Sequence, residues 1–155
     1  MTSVESITPY LEPVRKSVTV KRTAEEAFQI FTARIASWWP TAKYSVGQER
    51  TRDVVIEPGT GGRVYETLDD GETFDWGKVL AWEPPARFVM TWHPGRDPDV
   101  AQEVEVRFTA VEEGTRVDLE HRNWQGLGSE AAVVRGRYAG GWEEVLGIRY
   151  VAACS

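Results

Sequence analysis

A chain of 155 residues, 41% hydrophobic and 27% charged, has the size and balance of one folded globular domain that can bury a core without disulfides or a structural metal. Its 18 basic and 24 acidic residues give a formal charge of -6, and the basic ones are scattered singly, which excludes the basic stripe that nucleic-acid binding needs. The only cysteine, Cys154, leaves no intramolecular disulfide and suits a reducing compartment, so a cytoplasmic protein is expected. Residues 1–13 contain Ser, Thr, Glu and two prolines and no apolar run resembling a signal peptide or membrane span. They are expected to form a flexible arm ahead of a single domain over residues 14–153.

The β-branched run Val14–Val20 predicts a first strand. Thr23 followed by Glu26 is a capping-box signature, and Ala27, Phe28, Phe31 and Ile35 continue it as an apolar stripe at helical spacing. That helical signal ends at Trp38-Trp39-Pro40, where proline cannot continue the ladder. From Arg52 onward, turn signals recur at strand-length intervals: Pro58 to Gly62, Asp69 to Gly71, Glu83 to Pro85, His93 to Gly95 and Glu112 to Gly114. They separate six extended segments, which as consecutive hairpins form an antiparallel meander. Alternation turns Phe88, Met90 and Trp92 to the interior, with Val104, Val106 and Phe108, and Val117, Leu119 and His121. The segments around Tyr65 and Trp76 carry apolar residues on both parities, so the inward face is unassigned for Tyr65, Glu66, Asp75 and Trp76. Ser129 is the expected N-cap of a long C-terminal helix carrying Val134, Tyr138, Trp142, Val145 and Leu146 on one side. Gly140-Gly141 within it predicts a kink or a close approach of another group.

This order of elements resembles the α+β helix-grip fold of the START-like SRPBCC superfamily, in which a curved antiparallel sheet grips the long C-terminal helix. Ala27-Phe28, Trp38-Trp39-Pro40, Gly61-Gly62-Arg63, Trp76-Gly77, Trp82 to Arg87, Thr91-Trp92, Gly114 to Val117, Leu119-Glu120-His121 and Gly141-Trp142 resemble its bacterial branch, related to the activator of the heat-shock-protein-90 ATPase. The resemblance spans residues 14–153. It implies a cavity between helix and sheet but leaves the chemistry open, since the superfamily holds lipid and hormone carriers, polyketide cyclases and many proteins of unknown role.

Seven tryptophans, at 38, 39, 76, 82, 92, 124 and 142, suit either a dense core or a pocket wall with polar contact points. Packing is the commoner role for a single indole, and Trp39, at a chain reversal, and Trp142, beside the helix glycines, are the best exceptions. His121 faces inward, either to orient a ligand carbonyl or hydroxyl, or as a core histidine bonded to Tyr138 or a backbone carbonyl. His93 is expected in solvent at a rim. The expected ligand-binding set is therefore Trp39, Trp92, His121, Tyr138 and Trp142, around a small hydrophobic or aromatic molecule.

For acid–base chemistry the candidates are His121, Tyr138, Glu66 and Asp75. No metal-ligand spacing exists among the two histidines and the terminal cysteine, and neither a metal nor a cofactor is expected. Gly59 to Gly62 lacks the Lys-Ser/Thr ending of a phosphate loop and is expected to be a hairpin turn. Arg122, Arg135 and Arg137 are expected to be surface charges rather than an anion clamp. The first functional expectation is a small-molecule binder. A cyclase- or hydrolase-like enzyme using the same pocket is the alternative, and a chaperone-associated interaction module, implied only by the resemblance, comes third. Nucleic acid and membrane are not expected partners, and a homodimer is left open.

Overall fold

The computed structural model describes residues 10–155, so most of the expected N-terminal arm lies outside the described residues. Seven antiparallel strands form one sheet: β1 (Val14–Val20), β2 (Thr51–Ile56), β3 (Arg63–Leu68), β4 (Thr73–Glu83), β5 (Arg87–Trp92), β6 (Gln102–Val111) and β7 (Gly114–Arg122). Their order is β1-β7-β6-β5-β4-β3-β2, so β2 to β7 form the meander and β1 returns to pair with β7. This curled sheet packs on the C-terminal helix, which is the α+β helix-grip arrangement.

Helix α1 (Ala24–Phe31) begins as the sequence dictates. Thr23 Oγ1 accepts from the Glu26 N–H at 3.1 Å and the Glu26 carboxylate accepts from the Thr23 N–H at 3.1 Å, closing both halves of the capping box. Its buried face, Ala27, Phe28, Ile30 and Phe31, seats Phe28 against Trp82, Phe88 and Phe108 with ring centroids 5.1, 5.8 and 5.2 Å away. The helix stops earlier than the apolar stripe suggested. Thr32 Oγ1 takes the Phe28 carbonyl at 2.7 Å and the Trp38 indole N–H takes that of Ile30 at 2.8 Å, so side chains replace the next helical donors. Ile35 therefore falls in a separate 3₁₀ turn (Ile35–Ser37).

Strand β4 explains why its facing could not be read from parity. Its register with β3 shifts between Val64 and Tyr65, and its register with β5 shifts between Val79 and Ala81. Each bulge reverses the alternation, so Trp76, Val79 and Trp82 all reach the core side although their numbers differ in parity. Glu66 and Trp76 point inward and are fully buried, whereas Asp75 is exposed and paired with Arg63 at 2.7 Å. Beside Trp76, Gly77 lies so close to β5 that a Cβ there would sit 1.8 Å from the Thr91 carbonyl oxygen. The outer face of the sheet carries a half-buried ionic cluster, in which Glu105 accepts from Arg87 at 2.6 Å and Arg122 at 2.5 Å. Arg122 also binds Glu103 and Glu120, so its charge is saturated.

The C-terminal helix departs from expectation at its start. Gly128 adopts a non-helical φ of 58°, and Ser129 lies in the 3₁₀ segment Trp124–Glu130 rather than capping. Helix α2 (Ala131–Glu144) follows Glu130 and has no side-chain cap. It runs through Gly140 and Gly141 without interruption and continues as wide π turns over Val145–Tyr150 and a last α turn, Val151–Ala153. The irregularity predicted at the glycines thus falls one turn later. Gly141 serves close approach instead: a Cβ there would meet the Tyr44 ring at 3.4 Å. Tyr150 Oη donates to the Ala27 carbonyl at 2.8 Å and pins the helix to α1. No helix among the described residues is long and apolar enough to cross a membrane.

Because an added methyl at position 77 must push β4 away from β5, Gly77→Ala is expected to lower stability by about 3 kcal/mol. A urea melt with an unchanged midpoint would contradict that packing.

Candidate functional site

A cavity of about 390 Å³ opens between α2 and the sheet, which is within the size range of small-molecule sites. Its wall is aromatic. Trp39, Trp92 and Trp142 line it, with Tyr44 and Tyr138 beside them. Trp39 sits at the centre of the cluster, its ring 5.2 Å from Trp76, 5.9 Å from Trp92 and 5.7 Å from Trp142. Val134 and Val145 complete the helix side.

Each of these indoles is held by its N–H. Trp39 donates to the Tyr44 carbonyl at 2.7 Å, Trp92 to Tyr138 Oη at 3.0 Å, Trp142 to His121 Nδ1 at 3.0 Å and Trp76 to Glu66 Oε1 at 2.7 Å. A buried N–H without an acceptor costs about 1–3 kcal/mol, so these bonds fix ring orientation as firmly as packing does. Trp124, stacked on His121 at 4.2 Å, has the only buried side-chain polar atom without a partner among the described residues.

Of the five residues singled out in the sequence, Trp39, Trp92, Tyr138 and Trp142 line the cavity, and His121 stands one layer behind them. Its Nδ1 accepts from Trp142, so the ring proton lies on Nε2, which donates to Gln102 Oε1 at 3.3 Å. Gln102 in turn donates to the Val100 carbonyl at 2.8 Å. Burial alone drives the His121 pKa down to about 3, so the imidazole is neutral and orients Trp142. His93, expected in solvent, is buried instead. Its N–H bonds the Trp76 carbonyl at 2.6 Å and its Nδ1 lies 3.2 Å from the Arg96 carbonyl, which closes the 93–96 turn against the sheet.

Tyr138 is the lining group with chemistry to offer. Its oxygen accepts from Trp92, and its own O–H donates to nothing among the described residues. Burial raises its pKa, opposed by the Trp92 bond and the Arg96 charge, so the phenol stays protonated. The hydroxyl thus keeps a proton it can donate at the cavity wall.

Glu66 is the feature that alternation could not find. Its carboxylate accepts from the Val46 N–H at 2.7 Å, the Gly47 N–H at 2.8 Å, Thr51 Oγ1 at 2.7 Å and the Trp76 indole. Burial would raise its pKa, but the bonds from Gly47, Thr51, Val46 and Trp76 outweigh it and hold the carboxyl below its ordinary value. The carboxylate thereby anchors the segment whose Tyr44, Ser45 and Val46 form the cavity's outer wall. On the other side, Lys43 and Tyr44 donate to Glu144 of α2 at 2.8 and 3.2 Å. A strap of chain is therefore tied to both the sheet and the helix. No group of three His, Cys, Asp or Glu side chains able to hold a metal occurs among the described residues.

Residues 21–148 match the family described as Activator of Hsp90 ATPase homolog 1-like protein. The chain belongs to that family. Among solved structures it is similar to an anthrahydroquino-γ-pyrone synthase, with 34% identity over 93% of this chain and 97% of that one, TM-score 0.64. It shares its fold with a protein from Mesorhizobium loti (19% identity, 91% and 95% of the chains, TM-score 0.68). An AHSA1-like protein from Aeromonas hydrophila does likewise (19%, 91% and 90%, TM-score 0.64). No curated protein matches.

The neutral state of His121 has a pH signature. Its folded pKa is lowered from the ordinary 6.5, so the unfolded chain takes up the proton first as pH falls, and stability is lost between pH 6.5 and about 3. The slope contributed by this one group approaches about 1.4 kcal/mol per pH unit. Nitrogen-15 NMR should show His121 neutral with the proton on Nε2 at pH 5. Titration near 6.5 would contradict the arrangement.

Glu66→Gln places an amide N–H₂ among four donors and is expected to cost about 3 kcal/mol, measured by thermal or urea unfolding. A loss under about 0.5 kcal/mol, the usual scale of a surface change, would show that the strap is not anchored there.

Proposed function

We propose that the protein binds a small, mostly apolar aromatic molecule in the cavity between α2 and the sheet. One observation carries this reading: a pocket of about 390 Å³ opens against a packed cluster of three indoles, Trp39, Trp92 and Trp142, each oriented by its own hydrogen bond. Flat rings offer an aromatic ligand stacked and edge-on contacts worth about 0.5–1.5 kcal/mol each beyond area burial. Trp39, Trp92, Tyr138 and Trp142 make direct contact in this reading, and His121 acts through Trp142.

Tyr138 and the similarity to a pyrone synthase favour a second reading, a cyclase-like enzyme using the same cavity. The protonated hydroxyl would donate to a substrate carbonyl and stabilise the negative charge that develops there during ring closure. His121, neutral and behind Trp142, has no direct path to the substrate.

Two substitutions separate the readings. Val134→Phe fills the cavity from the helix and should weaken binding of an apolar aromatic probe such as N-phenyl-1-naphthylamine at least about tenfold, a loss of about 1.4 kcal/mol. Unchanged affinity in the folded variant would place the ligand elsewhere. With an aromatic polyketide substrate, Tyr138→Phe should lower turnover about 100-fold or more while affinity changes only a few-fold. Equal turnover would remove the enzymatic role of that hydroxyl.

A further inference from the structure

The cavity mouth departs from the charge of the chain as a whole. The protein is acidic at -6, yet no Asp or Glu lines the cavity and two arginines do, Arg96 and Arg137. Arg137 is exposed and makes no hydrogen bond or ion pair among the described residues. Arg96 donates from both Nη1 and Nη2 to one oxygen of Glu130, each at 3.4 Å, and that side chain is 63% exposed. Elsewhere Arg50, Arg63, Arg87 and Arg122 are each held by a carboxylate at 2.9 Å or less, whereas Arg52 and Arg149 meet carboxylates only at 3.9 and 3.8 Å. Three acids reach lining residues from outside the cavity: Glu130 pairs with Arg96, Glu66 is taken by its four donors, and Glu144 by Lys43 at 2.8 Å and Tyr44 at 3.2 Å. The mouth therefore holds one arginine without a partner among the described residues, Arg137, and one held only by a long, solvent-exposed pair, Arg96, next to the Tyr138 hydroxyl and an apolar wall.

Building on the ligand-binding reading above, we propose that the cavity selects aromatic anions. A flat apolar ring system rests against Trp39, Trp92 and Trp142, and its single acidic group, a carboxylate, sulfonate or ionised phenol, is held at the mouth by Arg96 and Arg137. Guanidinium donors match such oxygens in a fork, and a charge-assisted bond beside an apolar wall is stronger than the same bond in water. The helix position of Arg137, one residue before Tyr138, brings this charge to the mouth without adding polarity to the aromatic wall.

Two fluorescent probes isolate the charge. 1-Anilinonaphthalene-8-sulfonate and N-phenyl-1-naphthylamine share their ring systems and differ in the sulfonate. The wild-type protein should bind the sulfonate about tenfold more tightly, and the preference should shrink as salt rises from about 0.05 to about 0.5 M. Arg96→Gln with Arg137→Gln should abolish the preference while leaving affinity for the neutral probe within about twofold. If the double variant fails to fold, Arg137→Gln alone should lower sulfonate affinity about threefold, since that side chain is exposed and unpaired. Equal affinity of the two probes for the wild-type protein, or a variant that keeps the preference, overturns anion selection and leaves the cavity reading standing. If neither probe binds, both readings fall together.

Discussion

Five of the six buried indoles find an acceptor for their N–H within the protein, Trp124 being the exception, and this pairing organises the interior. Trp38 donates to the Ile30 carbonyl and so ends α1, while Trp39 donates to the Tyr44 carbonyl and so folds the strap over the cavity. Trp92 uses Tyr138 and Trp142 uses His121, which ties two strands of the sheet to the helix they grip. A purely aliphatic core could collapse around a void by rotamer changes, but rings fixed at both face and edge cannot. The same bonds therefore fix the orientation of the cluster that backs the cavity.

Glu66 is the electrostatic counterpart of this network. Four donors converge on a fully buried carboxylate, and two of them are backbone N–H groups of the strap. An ionised group in such a place is tolerated only because every one of its bonds is made, so the strap, β2, β3 and β4 are obliged to meet at one point. Opposite, the looser Lys43 and Tyr44 contacts with Glu144 are half in solvent and correspondingly weak. The strap is firmly held by the sheet and lightly held by the helix.

The helix-grip order was legible because strand alternation, turn chemistry and a capping box are local signals. Phe88, Met90 and Trp92, or Val117, Leu119 and His121, need only a period of two to be placed. Local signals failed wherever the chain breaks its own period. Two bulges in β4 hid the facing of Trp76, and the buried role of Glu66 depends on Val46 and Gly47, about twenty residues earlier in the chain. His121 was correctly turned inward, but whether an inward side chain meets the cavity or backs its wall is set by the size of Trp142 in front of it. Arg137 read as an ordinary surface charge, and only the position of α2 shows that its surface is the cavity mouth.

An aromatic wall, an unused phenol proton, the unpaired Arg137 and the loosely paired Arg96 thus converge on one opening. In the proposed function Trp39, Trp92 and Trp142 face the ligand while the other indoles serve packing. The indole N–H resonances of the seven tryptophans, followed by NMR as N-phenyl-1-naphthylamine is added, test this directly. Saturable shifts concentrated on Trp39, Trp92 and Trp142, with Trp38 and Trp124 nearly unmoved, are the predicted result. Shifts confined to Trp38, Trp82 or Trp124, or none at a probe concentration that binds, would contradict it.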